Sequence, residues 1–552
     1  MSRKKRNILI VAVVLTIGTV FYGFVRNDFE IAKNIDIYAS ILKQLDEQYV
    51  DEINVNDLLK TSVDAMLEKL DPYTVFYQES DLEEFKLMTT GQYGGIGALI
   101  QQDSDYVIIS EPYDGWPAAE AGLNPGDKIL EIENKSVQHK TVSDVSAMLR
   151  GQPGTKLKLT ILPYGKTKST VKEIVRKEIK LPNISYWGLL DNQIGYIRLD
   201  QFTDNAGNDM KQAFAQMKND GMQKLIVDLR GNGGGLLNEA INIVNLFVDK
   251  GNIVVKTKGK NSAKNQVFAT VNQPLDTKIP IVVLVDRTSA SASEIVAGSL
   301  QDFDRAVLVG QRTYGKGLVQ NVVPLSYNTK MKVTVSKYYI PSGRCIQAVD
   351  YAAKDENGQN KRKADSLATP FKTKGGRTVY DYGGVEPDIN NQIESYSTVL
   401  LAIMEKRIIF NYANEFKLKH ASIASAKQFR ISDEIYNDFV QYVKKENLEY
   451  QTFTEKQIEQ LRKSVKDDKF SDNINATIAQ LEKDVAKEKE NDLLRYKKEI
   501  SELLQVEIVS RYYHQKGGIE ASLTIDPDII KATEILQNMD IYHSILKGTY
   551  KK

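Results

Sequence analysis

Ile281-Val-Val-Leu-Val-Asp-Arg-Thr-Ser-Ala-Ser291-Ala-Ser-Glu-Ile295 is the stretch on which the reading of this chain turns. Five apolar, mostly β-branched residues predict a buried strand, the small residues after them a tight turn, and Ala292 onward the start of a helix. Ser291 then sits at a helix N-terminus, where free amides and the positive end of the helix dipole stabilise negative charge developing on oxygen. The same residues match a capping box, Ser291-Ala-Ser-Glu294, in which the serine only satisfies a backbone amide. Capping serines far outnumber nucleophilic ones, so this segment alone favours the cap.

Two other segments change that balance. Gly310-Gln-Arg-Thr-Tyr-Gly315-Lys316-Gly317 nearly spells a phosphate-binding loop, but Gly317 stands where a hydroxyl residue would hold magnesium. The continuation LVQNVVPLSY reads as strand, not as the required helix, so nucleotide binding is disfavoured. A lysine between glycines is ordinarily a solvated turn residue; if Lys316 is enclosed instead, desolvation makes its neutral amine a base for serine. Gln320, four residues on, would share a strand face with it and hold the amine. Lys224-Leu-Ile-Val-Asp-Leu-Arg-Gly-Asn-Gly-Gly-Gly235 predicts a buried strand running into a glycine loop. Such a loop serves equally as phosphate cradle, oxyanion hole or plain turn.

Working outward, apolar strand-like runs alternate with helical ones from Leu189 to about Ile389, as in an α/β core. Residues 91–180 read as short strands with one embedded helix, residues 30–88 as helices broken at Asp71-Pro72, and 395–552 as charged helical sequence, a solvated face in the commoner case or else an interaction arm. The polar stretch 350–380 reads as a loop. At the N-terminus, Arg3, Lys4, Lys5 and Arg6 precede an uncharged run of 18 residues, Ile8 to Val25, with no small-x-small cleavage site after it. That pattern predicts an uncleaved membrane anchor with the body of the chain outside the cytoplasmic face. With 73 basic against 72 acidic residues there is no basic stripe, which argues against nucleic acid. The single cysteine, Cys345, allows no internal disulfide, and none of the four histidines lies in the glycine-rich centre to complete a Ser-His-Asp triad.

Together SASASEI, the Gln-Asp of SLQDFDRA, GQRTYGKGLVQ and DLRGNGGG resemble the C-terminal processing peptidases, also called tail-specific proteases, over about residues 35–390. The separation of 25 between Ser291 and Lys316 matches that family's serine-to-lysine spacing. The resemblance implies a Ser-Lys serine endopeptidase in which Ser291 is the nucleophile, Lys316 the general base and Gln320 its orienter. The oxyanion hole would be formed by the amide of Ala292 and one from Gly233 to Gly235, with Gly234 favoured; Glu294, Asp302 and Thr313 would support the site structurally. No metal or organic cofactor is implied. Tyr93-Gly94-Gly95-Ile96-Gly97 would bind a substrate's C-terminal carboxylate in a PDZ domain, and Arg150 would couple that domain to the protease site.

The expected architecture is multidomain α/β: a basic tail at 1–7, an anchor at 8–25, a helical domain at 27–88, a PDZ domain at 89–180, a mixed α/β protease core of the crotonase-like or ClpP-like kind at 181–392, and a helical region at 393–552. Partners would be envelope or periplasmic proteins held by their C-terminal tails and the inner membrane through residues 8–25, while a homodimer or an adaptor lipoprotein stays open. The rival from another class, a non-catalytic tail-binding adaptor, would lack a dyad residue, and both are present.

Overall fold

All five side chains of Ile281–Val285 are buried, and the strand they form lies inside a six-stranded sheet. In the computed structural model, which describes residues 28–354, 360–381, 383–391, 396–468 and 472–550, the order across that sheet is Ile184–Leu189, Ile194–Leu199, Lys224–Asp228, Ile281–Val285, Val307–Gly310, Ile389–Asn390. The first pair is antiparallel and every other pair parallel. Parallel neighbours need crossover connections, which the helices Ala206–Asn219, Leu237–Asn245 and Ala292–Asp302 supply.

Strand side chains alternate between faces, and here both faces are covered, which is why these strands are apolar at nearly every position. Leu225, Val227, Ile281, Val283 and Val285 pack with the crossover helices through Met210, Phe214, Val244, Val296 and Leu300, and with Phe247 just beyond the second of them. Ile226, Val282, Leu284, Val307 and Val309 meet instead Ile529, Ala532, Ile535, Leu536, Tyr542 and Ile545. These six come from the helices Pro527–Gln537 and Met539–Leu546, so the end of the chain forms the second layer of the core. The rest of the C-terminal region has its own core, built from Val399–Phe416, Phe429–Val443 and Ile500–Val509. The helices Phe453–Asp467 and Asp472–Lys489 make a satellite hairpin on Ile458, Val465 and Ile478 with their charged residues in solvent.

Residues 92–180 form a small β domain. Its sheet runs Ala98–Asp103, Tyr106–Pro112, Lys128–Ile132, Lys156–Leu162, Thr170–Val175, and the helix Val142–Leu149 closes the core with Val145 and Leu149. Ala98–Asp103 is one of its two edge strands. Its helix-facing side is open to an added strand except at Gln102, whose carbonyl accepts from Arg407 Nη1 at 2.9 Å.

Two compact units divide the chain: Met1–Glu79 with Val322–Val333, and Ser80–Asn321 with Thr334–Lys552. In the first, a helix through residues 28–48 and the helix Val55–Glu68 agree with the helical reading, and Asn54 caps the latter by accepting from Asn56 and Asp57 N–H. The all-helical expectation fails at Val75–Tyr77, which is a strand paired antiparallel with Lys330–Lys332. Asp71 turns the chain into it, accepting from Tyr73 and Thr74 amides at 2.8 and 2.9 Å. The loop expected at 350–380 contains two short hairpins, Val349–Lys354 with Asn360–Arg362 and Pro370–Lys372 with Thr378–Tyr380. The anchor expected at 8–25 lies outside the described residues, and among those described no helix is long and apolar enough to cross a membrane.

Burying each large apolar side chain of the second layer stabilises the fold by about 1.5–3 kcal/mol, and five such residues compete with a total stability of about 5–15 kcal/mol. Deleting residues 527–552 is therefore expected to abolish the cooperative thermal transition of the core. A truncated protein that melts at the wild-type midpoint would show this layer to be dispensable.

Candidate active site

The three serines of Ser289-Ala-Ser291-Ala-Ser293 have different surroundings. Ser289 and Ser293 are fully buried, and their hydroxyls donate to Leu229 O at 2.8 Å and Asn232 O at 2.9 Å. Both acceptors belong to the glycine loop, so the outer serines bind that loop to the turn. Ser291 between them is only half-buried and has φ 57° and ψ −112°. The capping residues Thr141 and Thr452 of this same chain lie at φ −73°, ψ 162° and φ −70°, ψ 159°, the extended geometry a cap needs. A non-glycine residue at positive φ on a strand-to-helix turn is strained by roughly 1–3 kcal/mol, and such strain gathers at functional sites. The backbone thus separates Ser291 from an ordinary cap.

Glu294, with no solvent exposure, receives four donors. Its Oε1 accepts from Thr313 Oγ1 at 2.6 Å and Gly315 N at 2.7 Å; its Oε2 accepts from Ser291 N at 2.8 Å and Lys316 N at 2.9 Å. One carboxylate oxygen therefore joins the backbones of the two residues singled out from separate motifs. Burial pushes the Glu294 carboxyl above its usual range even though these four bonds pull it down. Thr313 also accepts from Val385 N at 2.6 Å, which fixes the loop from its other side.

Lys316 lies in an irregular segment, because the following strand begins at Leu318. The expectation that Lys316 and Gln320 share a strand face therefore fails: only Gln320 is on the strand. Gln320 Nε2 donates to Thr334 Oγ1 at 3.2 Å. Lys316 is half-buried, so the enclosure expected from the sequence is partial in this structure.

Asn232, fully buried, ties the glycine loop down: Nδ2 donates to Leu199 O at 2.7 Å, and its carbonyl accepts from Ala290 N at 3.1 Å. Gly234 has φ +101°, and a Cβ there would fall 2.8 Å from Ser291 Cβ and 2.9 Å from Ala292 N. Only glycine lets the loop approach the serine this closely. Gly234 N–H, however, donates to Asn232 Oδ1 at 2.8 Å, so in this state it faces away from an oxyanion. Ala292 is the first residue of its helix, and its N–H has no acceptor within that helix.

Asp302 closes the far end of the same helix in a buried ion pair with Arg344 at 2.9 Å, and it accepts from Ser342 N at 2.9 Å. That is a packing role. Arg150 caps the helix Val142–Leu149 and lies over the Tyr93 ring, 5.5 Å from its centroid. The loop expected at Tyr93–Gly97 is largely strand, because Gln92–Gly95 pairs antiparallel with Lys177–Lys180 and only Ile96 and Gly97 lie beyond it; the carbonyls of Gly94, Ile96 and Gly97 accept from Gly151, Ala118 and Tyr113 amides. In a trans peptide the next N–H points the opposite way, so the Gly97 and Ala98 amides face away from those partners.

Three residues at the site escaped the sequence reading. Asn232 was hidden inside a run read as glycine. Tyr338 sits on a distant strand with its hydroxyl 2.8 Å from Lys316 O. Arg230, next to the glycine loop, chelates Asp228 and reaches Asp526 and Asp528 at the start of Pro527–Gln537, at 2.9 and 3.0 Å. No local pattern announces contacts this far apart in sequence.

Glu294→Gln would turn an amide nitrogen toward two donors, and kcat is expected to fall by at least roughly 10-fold. A raised folded-state carboxyl costs stability as pH climbs from the ordinary glutamate range toward the raised value. Melting curves between about pH 4 and 7 should therefore show wild type losing stability relative to the variant with rising pH. Full activity of the variant would contradict the assignment.

Comparison with known proteins covers the three main regions of the chain. Profiles match residues 193–353 to peptidase family S41, 108–163 to a PDZ domain, and 399–536 to "Probable PDZ-protease, C-terminal helical domain". The chain is 34% identical over 328 residues to a carboxy-terminal-processing protease of Bartonella bacilliformis, covering 59% of this chain and 75% of that protein. It is 32% identical over 348 residues to a probable CtpA-like serine protease of Staphylococcus aureus, covering 61% and 68%. A solved photosystem II D1 C-terminal processing protease is 26% identical, with 64% of this chain and 92% of that chain aligned and a TM-score of 0.35. An S41 core joined to a PDZ domain and a helical C-terminal domain, with these relatives, places the chain among the carboxy-terminal-processing serine peptidases of family S41.

Proposed function

We propose that Ser291 and Lys316 form the catalytic dyad of this peptidase and that substrates are presented by their C-terminal tails. The observation that carries the dyad is the shared Glu294 Oε2, which receives the amides of both residues. A substrate tail adds as a strand along Ala98–Asp103, and its carboxylate lies against the amides at the end of the Tyr93–Gly97 segment, those of Gly97 and Ala98. When substrate excludes water from the half-buried lysine, its neutral amine accepts the Ser291 hydroxyl proton and Oγ attacks the scissile carbonyl. The tetrahedral oxyanion is met by Ala292 N–H at the helix N-terminus and by an amide of Gly233–Gly235. Gly234 serves there only after its N–H leaves Asn232, so substrate binding has to turn that peptide. The lysine proton passes to the leaving amine, and water, deprotonated by the same lysine, releases the acyl group from Ser291.

The location belongs to the same proposal. The uncharged run 8–25 behind Arg3, Lys4, Lys5 and Arg6 supports a single anchor in the inner membrane, with the catalytic body outside the cytoplasm acting on envelope proteins.

Ser291→Ala and Lys316→Ala are each expected to cut kcat on an unfolded substrate with an apolar tail by more than roughly 1,000-fold, with binding of a C-terminal peptide unchanged. Degradation at the wild-type rate by either variant would reject the dyad.

A further inference from the structure

Tyr338 lies at the end of the strand Lys330–Tyr339, opposite Thr257, with its side chain 1% exposed. Its backbone N–H donates to Gly317 O at 3.0 Å, which fixes the strand to the lysine loop. Its hydroxyl stands 2.8 Å from Lys316 O and 3.2 Å from Ser291 O. A phenol has one proton, so it donates fully to one carbonyl at a time, and the shorter contact is to Lys316. Ser291 O has a second donor, Ile295 N–H at 3.0 Å.

We propose that Tyr338 is a positioning residue for the dyad, its hydroxyl setting the separation of the serine turn and the lysine loop from the carbonyl side as Glu294 sets it from the amide side. This rests on the assignment of Ser291 and Lys316 above. The strands leading into the two loops are paired, and Tyr314 N–H donates to Ser289 O at 3.0 Å; at Ser291 and Lys316 themselves two side-chain clasps act, one acidic on the N–H groups and one phenolic on the C=O groups. Burial, with the charge of Glu294 nearby, keeps the phenol far above its usual range and so protonated as a donor. Removing the hydroxyl leaves the Lys316 carbonyl without that donor and frees the lysine loop to shift. A displacement near 1 Å between reacting groups costs up to about 100-fold in rate.

The test is Tyr338→Phe, which keeps the ring. Expected is a kcat lower by roughly 10- to 100-fold with KM within about twofold, because the tail-binding groove is untouched. Labelling of Ser291 by a fluorophosphonate should slow in parallel, while melting and C-terminal peptide binding report the folded fraction. A kcat per folded molecule within twofold of wild type overturns the proposal. Should the variant fail to fold, 4-fluorophenylalanine at 338 decides: it fills the place of the hydroxyl but donates no proton. A kcat lower by at least roughly 10-fold per folded molecule supports the clasp; a kcat within twofold of wild type overturns it. Ser291→Ala and Lys316→Ala separate the two levels. If they are inactive while Tyr338→Phe is normal, only the clasp fails; if they are active, the dyad itself does.

Discussion

A buried carboxylate that accepts four hydrogen bonds, two of them from the backbones of Ser291 and Lys316, is the constraint on which the site depends. Its ionised form is costly in the interior, and burial outweighs the bonds that favour it. Glu294 is therefore a poor stabiliser of the fold at neutral pH. What it contributes is position: it sits one helical turn after the strained serine, so the start of one helix carries both the reacting hydroxyl and the group that locates its partner.

The surroundings of that helix extend the same logic. Ser289, Ser293 and Asn232 bind the turn to the glycine loop, and Gly234 brings that loop close to Ser291 and Ala292. Arg230, immediately before the loop, is held by two aspartates at the start of a C-terminal helix that also covers one face of the sheet. The last 30 residues thus act on the centre of the core through packing and through one arginine. Loss of Arg230 would leave Asp228 and Asp528, both buried, without the cation they share, which makes this contact intolerant of change at the arginine.

Much of the core was legible in sequence because its signals are local. Ile281–Val285 and Lys224–Asp228 are short apolar runs ended by small or glycine residues, and both are strands with helices following. Ser291 was ambiguous between cap and nucleophile, and only its backbone angles separate those, since composition does not encode a positive φ at serine. Lys316 was found by the failure of a phosphate-loop match, yet its partner geometry was misjudged because the strand read at LVQNVVPLSY begins at Leu318 and leaves Lys316 outside it. Val75–Tyr77 read as helix because three residues are too few to show a period, and their strand partner lies some 250 positions away in sequence. Tyr338 and Arg230 were invisible for a related reason: each acts through long-range contacts that depend on the assembled sheet.

The central claim is that Lys316, located by Glu294, activates Ser291. The most direct measurement is the second-order rate of Ser291 modification by a fluorophosphonate in wild type and in Lys316→Ala, with C-terminal peptide binding as the control for folding. The account predicts rapid, serine-specific labelling in wild type and a rate lower by at least roughly 100-fold in the variant, with peptide binding preserved. Equal labelling rates in the two proteins would contradict it.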